Sequence, residues 1–266
     1  MECFQAPACA PNTPQGSEEW EAPGWWTNSL HRVSKRSWDS ETLPHGDDKV
    51  TAVRQMFDAI APRYDLVNRI MTFRLDVRWR RKAVRLLELP PGSTVIDLAS
   101  GTGDLCADLA RSGHQPLSFD ISFGMLAADR SGAPRVQADI LRLPLPDHAV
   151  DGATCGFALR NLVELPRFFE ELGRVVRPGG RIALLDVGVP HSKVIRWGNN
   201  IYFGKVVPKI GALLSDGAAY RYLPKSVAYL PPPAQMLADL GAAGFADAEH
   251  HQLSGGITQL LLGTRS

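Results

Sequence analysis

Ser93-Thr94-Val95-Ile96-Asp97-Leu98-Ala99-Ser100-Gly101-Thr102-Gly103-Asp104 joins a short apolar run to a glycine turn. The run follows the breaker Pro90-Pro91-Gly92, and its nearly continuous apolar character suits a strand buried on both faces of a parallel sheet. The turn lets the backbone pass close to a ligand, because glycine has no side chain and tolerates positive φ. Residues 105–112 then read as a helix, whose first turn presents unpaired N–H groups and the positive end of its dipole. Strand, glycine turn and helix in that order suit a nucleotide or another polar ligand in the crevice at the strand's carboxyl end.

Downstream the same alternation continues. Residues 116–121 read as a second strand ending at Asp120, 125–130 as a short helix, and 135–138 as a third strand ending near Asp139. Residues 149–157 make a fourth strand and 165–176 a helix closed by Arg177-Pro178-Gly179-Gly180. A fifth strand covers 181–187, a helical insertion about 194–230, and another helix 231–243. Residues 246–253 and 257–264, around Ser254-Gly255-Gly256, read as a hairpin. Strands alternating with helices predict an α/β fold: a doubly wound, mostly parallel sheet of seven strands with a C-terminal antiparallel hairpin.

A dinucleotide site at the turn calls for G-x-G-x-x-G. Gly101 and Gly103 are present, but Cys106 holds the third glycine position, which weakens that reading. Asp120 suits a dinucleotide or another ribosyl ligand, since a carboxylate there accepts both ribose hydroxyl protons. By itself it is equally a strand-end cap; beside the glycine turn, at the right spacing, it points to a ligand.

Upstream, Val53, Met56, Phe57 and Ile60, then Leu66, Val67, Ile70 and Met71 after Pro62, follow the three-and-four spacing of helices from about Thr51. A further helix at 77–87 carries Arg78, Arg80, Arg81, Lys82 and Arg85, either a solvated face or a contact for an anionic membrane surface. Residues 1–48, rich in Pro, Gly, Ser and Glu, read as a disordered extension preceding a domain at 49–266. They hold Trp20, Trp25, Trp26 and Trp38, which suit either an idle tail or a contact at a wet–apolar boundary. The formal net charge of +1 gives no sign of nucleic-acid binding. No stretch is long and apolar enough for a membrane span, and no signal peptide is recognisable, so a cytoplasmic location is expected. Cys3, Cys9, Cys106 and Cys155 fit no zinc spacing and read as unpaired thiols, so no metal is expected.

Asp97 to Asp104 resembles motif I of class I methyltransferases in the form found in the ubiquinone/menaquinone biosynthesis C-methyltransferases. Phe57-Asp58-Ala59-Ile60-Ala61-Pro62-Arg63-Tyr64-Asp65-Leu66-Val67-Asn68, continuing to Trp79, resembles that family's N-terminal signature. Phe157-Ala158-Leu159-Arg160-Asn161 and Arg174-Val175-Val176-Arg177-Pro178-Gly179-Gly180-Arg181 resemble two further segments. Pro208-Lys209-Ile210-Gly211 and Tyr220-Arg221-Tyr222-Leu223 resemble its late helical insertion. The similarity spans about residues 50–266. It departs at Asp76, where the family has histidine, at Asp186 and Gly188, where it has Glu and Ser, and at Ala158, where it has glycine.

The resemblance implies S-adenosylmethionine as cofactor. It implies Asp97, Gly101, Thr102 and Gly103 around the methionine part, Asp120 on the ribose, Asp139 and Ile140 at the adenine, and a backbone contact at Gly156. The reaction it implies is C-methylation of a prenylated quinol, demethylmenaquinol first, with helices 51–88 and 191–230 on the substrate side. The same cofactor residues suit a methyltransferase for another aromatic or lipid acceptor, or a cofactor-binding partner without turnover. A quinol carbon becomes nucleophilic when a ring hydroxyl loses its proton, so a positive group beside the phenolate is expected. Arg160 is the candidate, with a structural salt bridge as the alternative. Tyr64, Asp65 and Asn68 are expected to close the substrate side, although Asp65 equally suits a helix cap. Asp151 or a water is the candidate base. A lipid acceptor further implies peripheral membrane contact, through the basic helix or the insertion.

Overall fold

The opening apolar run is β1 (Thr94–Leu98), an inner strand of a seven-stranded sheet in a computed structural model that describes residues 46–207 and 226–266. The other strands are β2 (Gln115–Asp120), β3 (Arg135–Gln137), β4 (Val150–Gly156), β5 (Val176–Val187), β6 (Glu249–Leu253) and β7 (Thr258–Thr264). Their order is β3-β2-β1-β4-β5-β7-β6. The first five are parallel, while β7 runs antiparallel to both β5 and β6. β1 and β4 are neighbours from which the order runs in opposite directions, so a crevice opens between their carboxyl ends.

Successive side chains of a strand point to opposite faces, and both faces are covered. Ile182 and Leu184 of β5 join Phe168, Phe169 and Leu172 of α6 (Leu165–Val175) and Met236 and Leu240 of α8 (Pro233–Ala242). Ala183 and Leu185 instead join Trp79, Ala83 and Val84 of α3 (Leu75–Leu86) and Leu105 and Leu109 of α4 (Asp104–Arg111). Each large apolar side chain so buried contributes about 1.5–3 kcal/mol.

A roof lies over the crevice. It comprises α1 (Gly46–Ile60), a 3-10 turn at Ala61–Arg63 and α2 (Tyr64–Met71). Pro62 has no N–H to continue α1 and so marks its end. Met56, Ile60, Val67 and Met71 pack against Met125 of α5 (Phe123–Ala128) and against Val207, which follows α7 (Lys193–Ile201).

Two expectations change. The roof begins at Gly46, five residues before Thr51. Arg177-Pro178-Gly179-Gly180 does not close a helix; it lies within β5, which pairs Val150 with Val176 and then, past a register shift, Gly152 with Arg181. The protein's C-terminus holds that segment: Gly179 donates its N–H to the Arg265 carbonyl at 2.7 Å, and Arg265 donates to the Gly180 carbonyl at 2.8 Å. The tail through residue 45, with Cys3, Cys9 and the four tryptophans, lies outside the described residues, as do Pro208 to Gly211 and Tyr220 to Leu223.

Candidate functional site

The turn after β1 adopts the left-handed conformation three times, at Ala99 (φ 53°), Gly101 (φ 58°) and Gly103 (φ 82°). Gly101 thereby aims its N–H at the Asp120 carboxylate at the end of β2 (2.8 Å), whose other oxygen accepts from the Ser122 N–H at 2.8 Å. Burial pushes the Asp120 carboxyl up, and these N–H groups work against it. Each carboxylate oxygen keeps a lone pair for a further donor. Gly103 faces away from the crevice: a Cβ there would lie 2.2 Å from the Asp129 carboxylate, so its role is close packing.

The crevice has two adjoining lobes, each about 130 Å³. One is lined by Asp120, Asp139, Ile140 and Met125 under Val53 of the roof. Asp139 is exposed and fixes its own turn by accepting the Leu141 N–H at 2.9 Å, while Ile140 is buried. The other lobe is lined by Asp97, Thr102, Tyr64, Asp65, Asn68 and Arg160, with an apolar wall that includes Met56, Ile60, Met71 and Trp79. Phe57, Tyr64, Ala99, Gly101, Gly156 and Phe157 border both lobes and form the waist between them. Phe57 and Tyr64 meet edge to face there, 5.8 Å apart. A Cβ at Gly156 would come within 2.8 Å of the Leu105 side chain, so glycine lets the end of β4 pack close to α4.

Asp97 is fully buried below the second lobe. Thr154 donates to it at 2.7 Å and the Cys106 thiol lies 3.7 Å away. It has no ion-pair partner among the described residues, and burial pushes its carboxyl up to about 7. Cys106, in the place a dinucleotide site gives to glycine, is therefore buried against Asp97. Cys155 is buried too, and both are unpaired thiols.

The roof is tied to each loop of the crevice. Asp65 accepts the Thr102 hydroxyl, tying α2 to the turn after β1. Asp58 accepts the Ser122 hydroxyl and the Gly124 N–H (3.0 Å), tying α1 to the loop after β2. Lys49 donates to the carbonyls of Arg160 (3.2 Å) and Leu162 (3.1 Å), tying α1 to the loop after β4. Asp65 is thus no helix cap: α2 is preceded by Arg63, with no side-chain cap bond. Lys49 and Asp58 escaped the sequence reading, because their partners lie 111 and 64 residues away.

Arg160 is 4% exposed and ion-paired with the fully buried Asp186, which also accepts its backbone N–H at 3.0 Å. The salt bridge is therefore real, and Arg160 lines the lobe as half of a pair. Arg80 likewise leaves the expected solvated face: it is 8% exposed and bridges Asp76 and Asp104, each at 2.8 Å. Asp76, at the family's histidine position, accepts the Thr72 hydroxyl at 2.6 Å and borders the same lobe. Asp151 is excluded as a base. It sits at the starting end of β4, opposite the crevice, where it accepts the Thr94 N–H (2.7 Å) and pairs with Arg177 (2.8 Å). A larger groove of about 840 Å³ lies on the outer side of α3 and α4; of the residues named for the two lobes only Trp79 also borders it.

Sheet order and crevice together place the protein among the class I S-adenosylmethionine-dependent methyltransferases. A methyltransferase of Thermotoga maritima shares the fold at a TM-score of 0.58 and 18% identity, over 80% of this chain and 99% of its own. So does phosphoethanolamine N-methyltransferase 2 of Haemonchus contortus, solved with S-adenosyl-L-methionine, at 0.54 and 12% identity over 70% and 52%. The chain belongs to the ubiE/COQ5 methyltransferase family, whose model matches residues 45–265. It is 36% identical to the ubiquinone/menaquinone biosynthesis C-methyltransferase UbiE of Geobacter sulfurreducens, over 82% of this chain and 90% of that one. It is 40% identical to the demethylmenaquinone methyltransferase of Thermus thermophilus, over 79% and 100%. The cofactor is accordingly S-adenosylmethionine.

Proposed function

We propose that the protein methylates a ring carbon of a polyprenyl quinol in quinone biosynthesis, with demethylmenaquinol as its acceptor. Family membership fixes the chemistry. The observation that carries the acceptor is the second lobe, an apolar wall broken by a small polar set, Tyr64, Asn68 and Arg160, directly above Asp97. A flat aromatic ring with hydroxyls at its edge matches that lining.

The crevice suits the cofactor on its own chemistry. A buried acid without an ion pair, Asp97, matches the ammonium of the methionine part, with Gly101, Thr102 and the turn held by Gly103 beside it. The Asp120 carboxylate, with lone pairs to spare, takes the ribose hydroxyls. Ile140 supplies an apolar surface and Asp139 a polar edge for the adenine, and Gly156 offers backbone at the waist. When bound, S-adenosylmethionine supplies a methyl group on a positively charged sulfur.

The protein's own residues then have two tasks. The roof, drawn down by Asp58, Asp65 and Lys49, aligns the acceptor and keeps water out, and alignment alone lowers such a barrier substantially. Arg160, oriented by Asp186, stabilises negative charge on a ring oxygen, while Tyr64 and Asn68 fix the ring edge. Burial raises the Tyr64 phenol, which stays protonated as a donor. A water is the proton acceptor that remains. The domain proposed to carry this runs from residue 49 to 266, with a separate extension before it.

The test is methyl transfer from labelled S-adenosylmethionine to chemically reduced demethylmenaquinone, alongside reduced demethoxy-type benzoquinones, read by mass. Carbon-methylated naphthoquinol as main product is expected. Cofactor binding without methylation of any quinol would overturn the reading.

A further inference from the structure

We propose that α2, the turn after it and α7 form a docking face for an anionic lipid bilayer, an inference that rests on a prenylated acceptor. α2 turns a mixed face to the lobe and an apolar face outward. Tyr64, Asn68 and Met71 face the second lobe, while Leu66, Ile70 and Phe73, at the same helical spacing, are 56%, 40% and 74% exposed. α7 repeats the pattern with Val194, Trp197 and Ile201, 78%, 68% and 37% exposed. The two faces are joined, because the Phe73 ring lies 5.7 Å from the Tyr202 ring and the Tyr202 hydroxyl donates to the Met71 carbonyl at 2.8 Å. A contiguous apolar patch of large side chains in water marks an interaction site.

The backbone holds one of these side chains out. Phe73 (φ 51°) and Arg74 (φ 61°) are consecutive left-handed residues without a glycine between them. Bulky residues adopt that conformation only under constraint, and such strain concentrates at functional positions. Here it carries an aromatic ring into solvent.

Charge selects the occupant. The sequence has no Asp or Glu between Asp186 and Asp216, a stretch that includes all of α7. Lys193 and Arg196 on α7 are exposed, as are Arg74 and Arg78 beside the Phe73 turn. None of the four makes an ion pair among the described residues. Aromatic and aliphatic side chains on one face, flanked by arginine and lysine, match a helix lying in the headgroup layer of a negatively charged leaflet. Among the described residues no helix is long and apolar enough to cross it. With the lobe on the opposite side of α2, the quinol ring reaches the crevice while its prenyl tail stays in the bilayer.

The test uses the full-length protein with vesicles of phosphatidylcholine alone or mixed with phosphatidylglycerol, read by co-sedimentation. Binding is expected to the mixed vesicles, at least about tenfold stronger than to neutral ones and falling with salt, as basic clusters on anionic leaflets behave. Phe73→Asn with Trp197→Ser should lower it about tenfold through lost apolar insertion. Asparagine tolerates the left-handed backbone. Lys193→Gln with Arg196→Gln should remove most of the salt dependence. Neither pair should change cofactor affinity or turnover of a soluble short-tailed quinol, while both should slow turnover of a vesicle-borne quinol. Equal binding to both vesicle types, or binding that neither pair alters, would overturn the docking face and leave the quinol reading standing. Vesicle binding that follows the expected pattern, with no quinol methylated, would overturn the quinol reading and leave the docking face. A dimer in sedimentation velocity that Trp197→Ser dissolves, with vesicle binding unchanged, would make the patch a contact between copies and overturn the bilayer.

Discussion

The lobe around Asp120 draws on the turn after β1, the segments that follow β2 and β3, the end of β4 with the loop after it, and the roof. The lobe around Arg160 gathers α1, α2, α3, the end of β1 with its turn, the start of α4, the loop after β4, the end of β5 and the start of β7. In the first, backbone does most of the positioning: Gly101 and Ser122 aim their N–H groups at one carboxylate. In the second, side chains hold one another, as Arg160 with Asp186, Asp65 with Thr102 and Arg80 with Asp76. A backbone-built site tolerates changes in its surroundings, whereas a side-chain network fails when one member goes.

The largest effect should follow from Arg160→Ala. It leaves Asp186 charged, buried and unpaired, which is expected to cost about 3–5 kcal/mol of stability in chemical denaturation. Turnover should fall about 10²–10³-fold if the guanidinium also stabilises a ring oxygen. Arg160→Leu with Asp186→Leu separates the two roles, because an apolar pair restores stability without restoring charge. Recovered stability with turnover still low supports the proposed role; recovered turnover would reduce Arg160 to a structural residue.

Asp120→Ala tests the other lobe. Hydrogen bonds to a charged acceptor contribute about 1.5–3 kcal/mol each, so losing two should weaken cofactor binding at least a hundredfold by titration calorimetry. Stability should change less than in Arg160→Ala, because the turn after β1 keeps its backbone bonds, such as Gly103 N–H to the Ser100 carbonyl at 3.0 Å. Equal loss of stability in the two variants would erase the contrast between the lobes.

That contrast also explains what was legible in the sequence. The turn and Asp120 lie within one local pattern of strands and glycines, so their positions followed from spacing, while Asp139 and Ile140 came with the family resemblance. Arg80 read as solvated because the acid that meets it across the packing, Asp104, comes from another helix. Asp65 suited a helix cap as well as the substrate side because its partner, Thr102, is 37 residues away. Arg177 to Gly180 became strand through pairing with the protein's last residues, which no local window contains. Asp151 was avoidable: in a parallel sheet the first residue of a strand lies at the end away from the crevice.

A smaller effect belongs to Asp97, below the second lobe. Its folded carboxyl, up to about 7 from 3.8, binds a proton that the unfolded state releases. Its contribution to stability without cofactor is therefore present below about pH 4 and lost as pH rises through 7. An ammonium group favours the ionised form, so cofactor affinity should rise with pH up to about 7, by at most about tenfold per unit, and then level off. Binding below pH 7 should release a proton, visible as calorimetric heats that change with the buffer's ionisation enthalpy. Asp97→Asn should flatten both responses; a pH profile identical to wild type would place the ammonium elsewhere.

The smallest effect, and the one that isolates the roof, belongs to Lys49. It is 3% exposed, donates to two carbonyls and lies 3.6 Å above the Tyr229 ring, and burial lowers its ammonium to about 8 from 10.5. Between those values the unfolded state holds a proton that the folded state has lost, so stability rises with pH across that window. Below pH 8 the amine is charged in both states and the cost of burying it is felt in full. Lys49→Met keeps the length and apolar stem of the side chain and removes the charge, so its thermal stability should change little at pH 7 and lose the rise between pH 8 and 10.5. Its other consequence is mechanical, since the carbonyls it releases flank the loop that carries Arg160. KM for the quinol should rise severalfold with a smaller loss of cofactor affinity, because of the two tied residues Arg160 lines the second lobe and Leu162 only the edge of the first. Equal weakening of cofactor and quinol would mean that the roof closes both lobes as one unit, and the two-lobe division would then describe lining without describing energetics.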